Sequence, residues 1–250
     1  MPMSSAYLLV SHGSRDRRPE IAMQQLAKLV CNKLPENHNA LNGAHQVGIA
    51  ALEMSPQPLH EQIQEFAKRA FCEGKLSQNE NRLKIVPLFL LPGVHVMTDI
   101  PAEVALAQQT LGQDIMIELQ PYLGSHPNLE KLLAKQIAAI KTEAWILLAH
   151  GSRRPGSKET VEAMAASLPA VAAYWSVPPS LESRVKELVA AGYKEIAILP
   201  YFLFAGGITD AIAASIEELK LQFSAVNFQL AEPLGASAEL AELIWDLTDR

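Results

Sequence analysis

The feature that most constrains this chain is that it repeats itself. Tyr7-Leu8-Leu9-Val10-Ser11-His12-Gly13-Ser14-Arg15 returns as Trp145-Ile146-Leu147-Leu148-Ala149-His150-Gly151-Ser152-Arg153. Three more segments return in the same order. Ala51–Leu59 matches Ala173–Leu181, with Glu53 against Trp175. Lys84–Leu90 matches Ala197–Leu203, and Thr98-Asp99-Ile100 matches Thr209-Asp210-Ala211. The separation shrinks from 138 residues between His12 and His150 to 111 between Thr98 and Thr209, so the first copy carries longer connections. Its polar stretches Pro35–Gln46 and Gly74–Arg82 read as those loops. Four matches in register predict two similar lobes, residues 1–141 and 142–250, joined near Lys141-Thr142-Glu143.

Within the first copy, short apolar runs alternate with amphipathic stretches. Ala6–Val10, Gly48–Leu52, Leu83–Leu91 and Ile115–Leu119 have the length of strands. Glu20–Leu34, Leu59–Phe71, Pro101–Leu111 and Leu129–Ile140 have helical spacing, and Thr98 or Asp99 is available to cap the third helix. Continuous apolar strands alternating with helices predict an α/β fold in which each lobe is a mostly parallel sheet flanked by helices. Ligands of such folds bind beyond the carboxyl ends of the strands. A cleft between two facing lobes is therefore the expected site.

His12 directly follows the first strand, and Gly13 lets backbone come close to a ligand. His95 follows the third strand after the turn Pro92-Gly93, and Glu53 closes the second. Any one of these could be a solvated strand end. Together they suit a divalent transition metal, with imidazoles that can also accept protons near neutral pH. In the second copy only the first histidine survives, as His150. Trp175 stands against Glu53 and Gly206 against His95, so the first lobe is expected to work and the second to support it.

The net charge is −6, which argues against a nucleic-acid partner. Positive charge is nevertheless gathered after both His-Gly-Ser turns, at Arg15, Arg17 and Arg18 and at Arg153, Arg154 and Lys158. Arginine forks match carboxylates or phosphates, so a polyanionic small molecule is the expected guest. No Walker loop or dinucleotide fingerprint occurs. His38, His45, His60 and His126 are read as surface residues. Cys31 and Cys72 are read as reduced, mostly buried thiols with no metal-ligand spacing. No segment reads as a signal peptide or a membrane span, so a cytoplasmic location without membrane contact is expected.

These motifs resemble the sirohydrochlorin chelatases of the CbiX and SirB type, in their long duplicated form. The likeness rests on Ser11-His12-Gly13-Ser14-Arg15, on Leu52-Glu53 before a proline-bearing helix start, and on the run from Pro87 through Gly93 and His95 to Asp99-Ile100. It implies ATP-independent insertion of Fe²⁺, or alternatively Co²⁺, into sirohydrochlorin for sirohaem or cobalamin. It implies catalysis by His12, His95 and Glu53, with His12 and His95 as metal ligands. Ser11, Gly13, Ser14, Arg15, Arg153 and Arg154 would then meet the carboxylated substrate. No tightly bound cofactor is expected, the divalent metal being a substrate, in a monomer or homodimer. The absence of a His-rich segment and of cluster-binding cysteines leans toward iron. The competing reading is a metal or tetrapyrrole carrier using the same histidines; a phosphatase lacks a recognisable nucleophile.

Overall fold

A computed structural model describes residues 4–34, 46–71, 81–154 and 156–248. His38, His45, Cys72 and most of the two polar stretches lie outside the described residues. The chain divides into two compact units: Met1–His126 with Ala236–Arg250, and Pro127–Gly235.

Unit 1 is built on strands β1 (Ser4–Ser11), β2 (Val47–Ala51), β3 (Asn81–Pro87) and β4 (Ile115–Leu119), all parallel in the order β2-β1-β3-β4. Central β1 is apolar along most of its length because both faces are covered. Ala6, Leu8 and Val10 join a core with helices α2 (Leu59–Phe71) and α3 (Ile100–Leu111). The opposite pleat places Tyr7 against Trp245 of α8 (Ala238–Thr248), with ring centroids 5.6 Å apart. Helix α8 packs beside α1 (Arg17–Cys31), which closes that face. Each edge strand is tied by a glutamine. Gln62 of α2 accepts from Ala51 N at 3.0 Å and donates to Ala51 O at 2.8 Å. Gln108 of α3 accepts from Ile117 N at 2.8 Å and donates to Ile115 O at 2.9 Å.

Unit 2 repeats the plan. Strands β5 (Ala144–Ala149), β6 (Ala170–Tyr174), β7 (Glu195–Pro200) and β8 (Asn227–Leu230) run parallel in the order β6-β5-β7-β8. Its helices are α4 (Leu129–Ala138), α5 (Glu159–Ser167), α6 (Leu181–Ala190) and α7 (Gly207–Gln222). Ile146 and Leu148 share a core with α6 and α7.

The compact units do not coincide with the sequence repeat. Helix α4 follows the first copy in sequence but belongs to unit 2, where Gln136 donates to Glu232 O at 3.3 Å. Helix α8 ends the second copy but belongs to unit 1. Covalent order and spatial order differ by one helix at each end. The third strand also ends earlier than its apolar run. The regular strand stops at Pro87, beyond which Leu88 N still donates to Val10 O at 2.7 Å and Phe89 O accepts from Gly124 N at 2.8 Å before the chain turns away. Helix α1 starts three residues before the periodic stretch, at a cap supplied by Asp16 that accepts from Arg18 N at 2.9 Å.

Candidate active site

Unit 1 delivers three side chains to one place at the carboxyl end of its sheet. The β1–β2 ladder runs past the strand ends: Leu52 N donates to Ser11 O at 2.9 Å, and Glu53 N to His12 O at 2.8 Å. This pairing sets His12 and Glu53 side by side. Gly13 makes it possible. Its φ is +96°, and a Cβ there would lie 1.9 Å from the carbonyl oxygen of Glu53. The next residue after Glu53, Met54, takes φ 59°, a left-handed conformation that a branchless but non-glycine side chain adopts only under constraint.

His95 arrives by a different route than the sequence suggests. It does not project from a strand end; it opens a π-helical turn, His95–Asp99, that leads into α3. Such wide turns recur at functional sites. Asp99, expected to cap α3, makes no side-chain cap bond. Its Oδ2 lies 2.8 Å from His95 Nδ1 instead. The rings of His12 and His95 meet edge-on, with centroids 4.8 Å apart and planes at 80°. Phe89 stands behind both, 6.4 Å from His12 and 6.1 Å from His95.

One donor atom from each of His12, Glu53 and His95 lies within 4.8 Å of the others. Metal–donor bonds of about 2.0–2.2 Å in a tetrahedral arrangement put two ligands ~3.4 Å apart, so the widest pair must close by a little over an ångström, within reach of side-chain rotation, to seat an ion. Glu53 Oε2 is 3.9 Å from His12 Nδ1. The side chains are 53%, 44% and 31% exposed for His12, Glu53 and His95. A metal held for structure is closed off by its ligands, whereas three donors at the surface leave positions for exchange.

The other candidates divide. Ser11 is half-buried at the end of β1, and Ser14 Oγ accepts from Asp16 N at 3.0 Å, which braces the turn into α1. Arg15, Arg17, Arg153 and Arg154 are exposed. Arg18 and Lys158 are committed elsewhere. Arg18 Nε bonds both carboxylate oxygens of Asp16 at 3.1 Å, and that interaction holds the Asp16 pKa down at about 2. Lys158 donates to Pro178 O at 2.6 Å and lies over the Tyr174 ring. In unit 2, Arg153 and Arg154 line a surface cavity of ≈630 Å³ with Ser152 and Ser176.

Two histidines read as surface residues are not. His126 is buried, with Nε2 3.7 Å from Asp246 of α8. His60 is half-buried, its Nδ1 2.8 Å from Glu103. Cys31 is half-buried and burial raises its pKa. The repeat register also needs correction. Trp175 N donates to Ala149 O and Ser176 N to His150 O, so Ser176, not Trp175, is the backbone counterpart of Glu53. The turn after β6 is one residue shorter, which the run of matching prolines hides. In either register the second copy lacks the carboxylate. Asp99 was missed as a partner of His95, although the His-x-x-x-Asp spacing places both on one helical face.

Comparisons with known proteins find chelatase relatives and chelatase folds. The chain is 26% identical over 185 residues to a sirohydrochlorin ferrochelatase of Priestia megaterium, covering 69% of this chain and 68% of that protein. It is 23% identical over 189 residues to a sirohydrochlorin cobaltochelatase of the same organism, covering 69% of this chain and 60% of that one. The structure of SirB from Bacillus subtilis with Fe³⁺ superposes with a TM-score of 0.71 at 21% identity, covering 99% of this chain and 95% of that chain. The CbiX family model matches residues 6–140 and 144–250. That match spans both copies of the repeat and breaks only at the joint read from the sequence, so this chain belongs to the CbiX family.

Proposed function

We propose that this protein inserts a divalent metal, Fe²⁺ in preference to Co²⁺, into sirohydrochlorin without ATP. The observation that carries the reading is the convergence of His12, Glu53 and His95 donors within 4.8 Å at an open surface of unit 1. The chelatase relatives and SirB with Fe³⁺ support the substrate and the metal class.

The reaction takes M²⁺ and a ring bearing two pyrrole N–H groups and yields the metallated ring and two protons. The residues supply what that exchange requires. Neutral imidazoles of His12 and His95 bind the ion through nitrogen lone pairs, stripping part of its hydration shell. As the ring nitrogens take the metal, the same lone pairs become free to accept the two protons. A carboxylate stands near each ring, Glu53 3.9 Å from His12 Nδ1 and Asp99 2.8 Å from His95 Nδ1, and stabilises the imidazolium formed. Ser11, Gly13, Ser14 and Arg15 would meet the substrate's carboxylates, guanidinium forks being matched to that group, and Arg153 and Arg154 offer the same chemistry to an anion. Among the described residues no helix is long and apolar enough to cross a membrane. We assign the protein to the cytoplasm, as a monomer or homodimer without a nucleic-acid partner.

The test is anaerobic insertion of Fe²⁺ and Co²⁺ into sirohydrochlorin, followed by the absorbance change of the ring. His12→Ala and His95→Ala should each remove most turnover while the circular dichroism spectrum stays unchanged. Near-normal rates from both variants overturn the reading. A single stoichiometric round without further turnover favours the carrier instead.

A further inference from the structure

The two histidines of the metal centre are not held alike. His12 Nδ1 stands 3.9 Å from Glu53, too far for a hydrogen bond, whereas His95 Nδ1 is 2.8 Å from Asp99 Oδ2. An ionised carboxylate only accepts, so His95 Nδ1 carries the proton and Nε2 keeps the lone pair. We infer that Asp99 is a positioning residue that fixes the orientation and tautomer of His95 and thereby presents Nε2 as the anchored metal donor. The inference rests on the metal-centre reading above.

A structural role for Asp99 accounts poorly for what surrounds it. It has helical dihedrals (φ −70°, ψ −50°) inside the continuous run from the π turn into α3, so it caps nothing, and its carboxylate turns to His95 instead. An ion pair with partners 31% and 39% exposed contributes little to stability. The turn that brings it to His95 is π-helical, with the Ile100 N–H reaching back to His95 O, a local geometry poorer than an α-helical start. A carboxylate bonded to the distal nitrogen of a ligating imidazole fixes the ring and strengthens it as a donor. Unit 2 supplies a control. Asp210 matches Asp99, but Gly206 stands in the place of His95. There the carboxylate has no imidazole to orient.

The experiment measures Co²⁺ affinity of the full chain by calorimetry, together with the visible d–d absorption of bound Co²⁺. Asp99→Ala should weaken binding ~10–100-fold and shift the Co²⁺ bands. Asp99→Asn keeps an acceptor oxygen without the charge and should lose less, about fivefold. Its matched shape keeps the test alive if Asp99→Ala fails to fold. In a His95→Ala background, Asp99→Ala should change affinity less than about twofold, because its effect passes through His95. Asp210→Ala should leave affinity unchanged. Parent-like affinity in both Asp99 variants while His95→Ala binds weakly overturns the inference alone, as does an equal loss from Asp99→Ala with and without His95. Full affinity in His95→Ala overturns the metal-centre reading itself.

Discussion

Replacing Gly13 by alanine is the most informative perturbation of the site, because its effect can be worked out atom by atom. At φ +96° an L side chain is strained by ~1–2 kcal/mol. The new Cβ would also stand 1.9 Å from Glu53 O, where ordinary contact begins at 3.4 Å. The obstacle is backbone, so the two segments must part by about 1.5 Å, and the 2.8 Å bond from Glu53 N to His12 O cannot survive. That bond contributes ~0.5–1.5 kcal/mol. The two effects together destabilise by ~1.5–3.5 kcal/mol. Gly192→Ala is the control: φ is +96°, as at Gly13, but nothing lies within 4 Å of the added methyl, so only strain remains, ~1–2 kcal/mol. Urea unfolding followed by circular dichroism compares the two, and Co²⁺ titration reports on the site. Gly13→Ala should be the less stable variant and should bind Co²⁺ at least ~10-fold more weakly, because the turn that sets His12 beside Glu53 is displaced. If Gly13→Ala unfolds no earlier than Gly192→Ala and binds Co²⁺ normally, the close approach of this turn to Glu53 is not what builds the site.

Other outcomes follow from the same geometry. His150→Ala should leave Co²⁺ affinity unchanged by calorimetry, because Ser176 and Gly206 occupy the places of the other two donors in unit 2. Gln62→Leu removes both bonds to the Ala51 peptide at the edge of the sheet, two residues before Glu53, and should lower stability by ~1–3 kcal/mol in urea unfolding. Asp16 should titrate at about 2 by carboxyl NMR, held down first by the Arg18 side chain and then by Arg18 N–H. Because the folded value lies below the unfolded one, its contribution is present above pH ~4 and is lost as pH falls toward 2. Asp16→Ala should therefore be the less stable chain at pH 7, by a margin that shrinks as pH falls from ~4 through ~2.

How much of this was written in the sequence depends on the scale. The repeat gave two α/β lobes with parallel sheets, and α2 and β4 end where their periodicity ends. Side-chain commitments were less visible. Arg18 and Lys158 look like ligands for a polyanion, but one is taken by Asp16 two residues away and the other by a carbonyl twenty residues on. His126 reads as a loop histidine because the helix that buries it, α8, comes more than a hundred residues later. The one-residue slip between Glu53 and Ser176 is set by strand pairing, which the prolines common to both turns do not report.

The duplication makes unit 2 an internal control for what catalysis asks of the backbone. Where unit 1 starts α3 with a π turn, unit 2 starts α7 with an ordinary cap, Gly206 N donating to Thr209 Oγ1 at 2.9 Å. Thr98, the match of that threonine, lies inside the π turn. Where unit 1 follows Glu53 with left-handed Met54, unit 2 has Ser176 closing the turn onto His150 O at 2.8 Å, and Met54 is the only non-glycine residue with positive φ among the described residues. Both irregularities sit beside a proposed metal donor, and both are missing from the copy without those residues. Strained backbone persists where surrounding structure holds it for a purpose. One ancestral plan, kept under strain on one side and relaxed on the other, is what a single working centre predicts. Two equivalent binding sites, or a purely structural pair of lobes, would have left the copies alike.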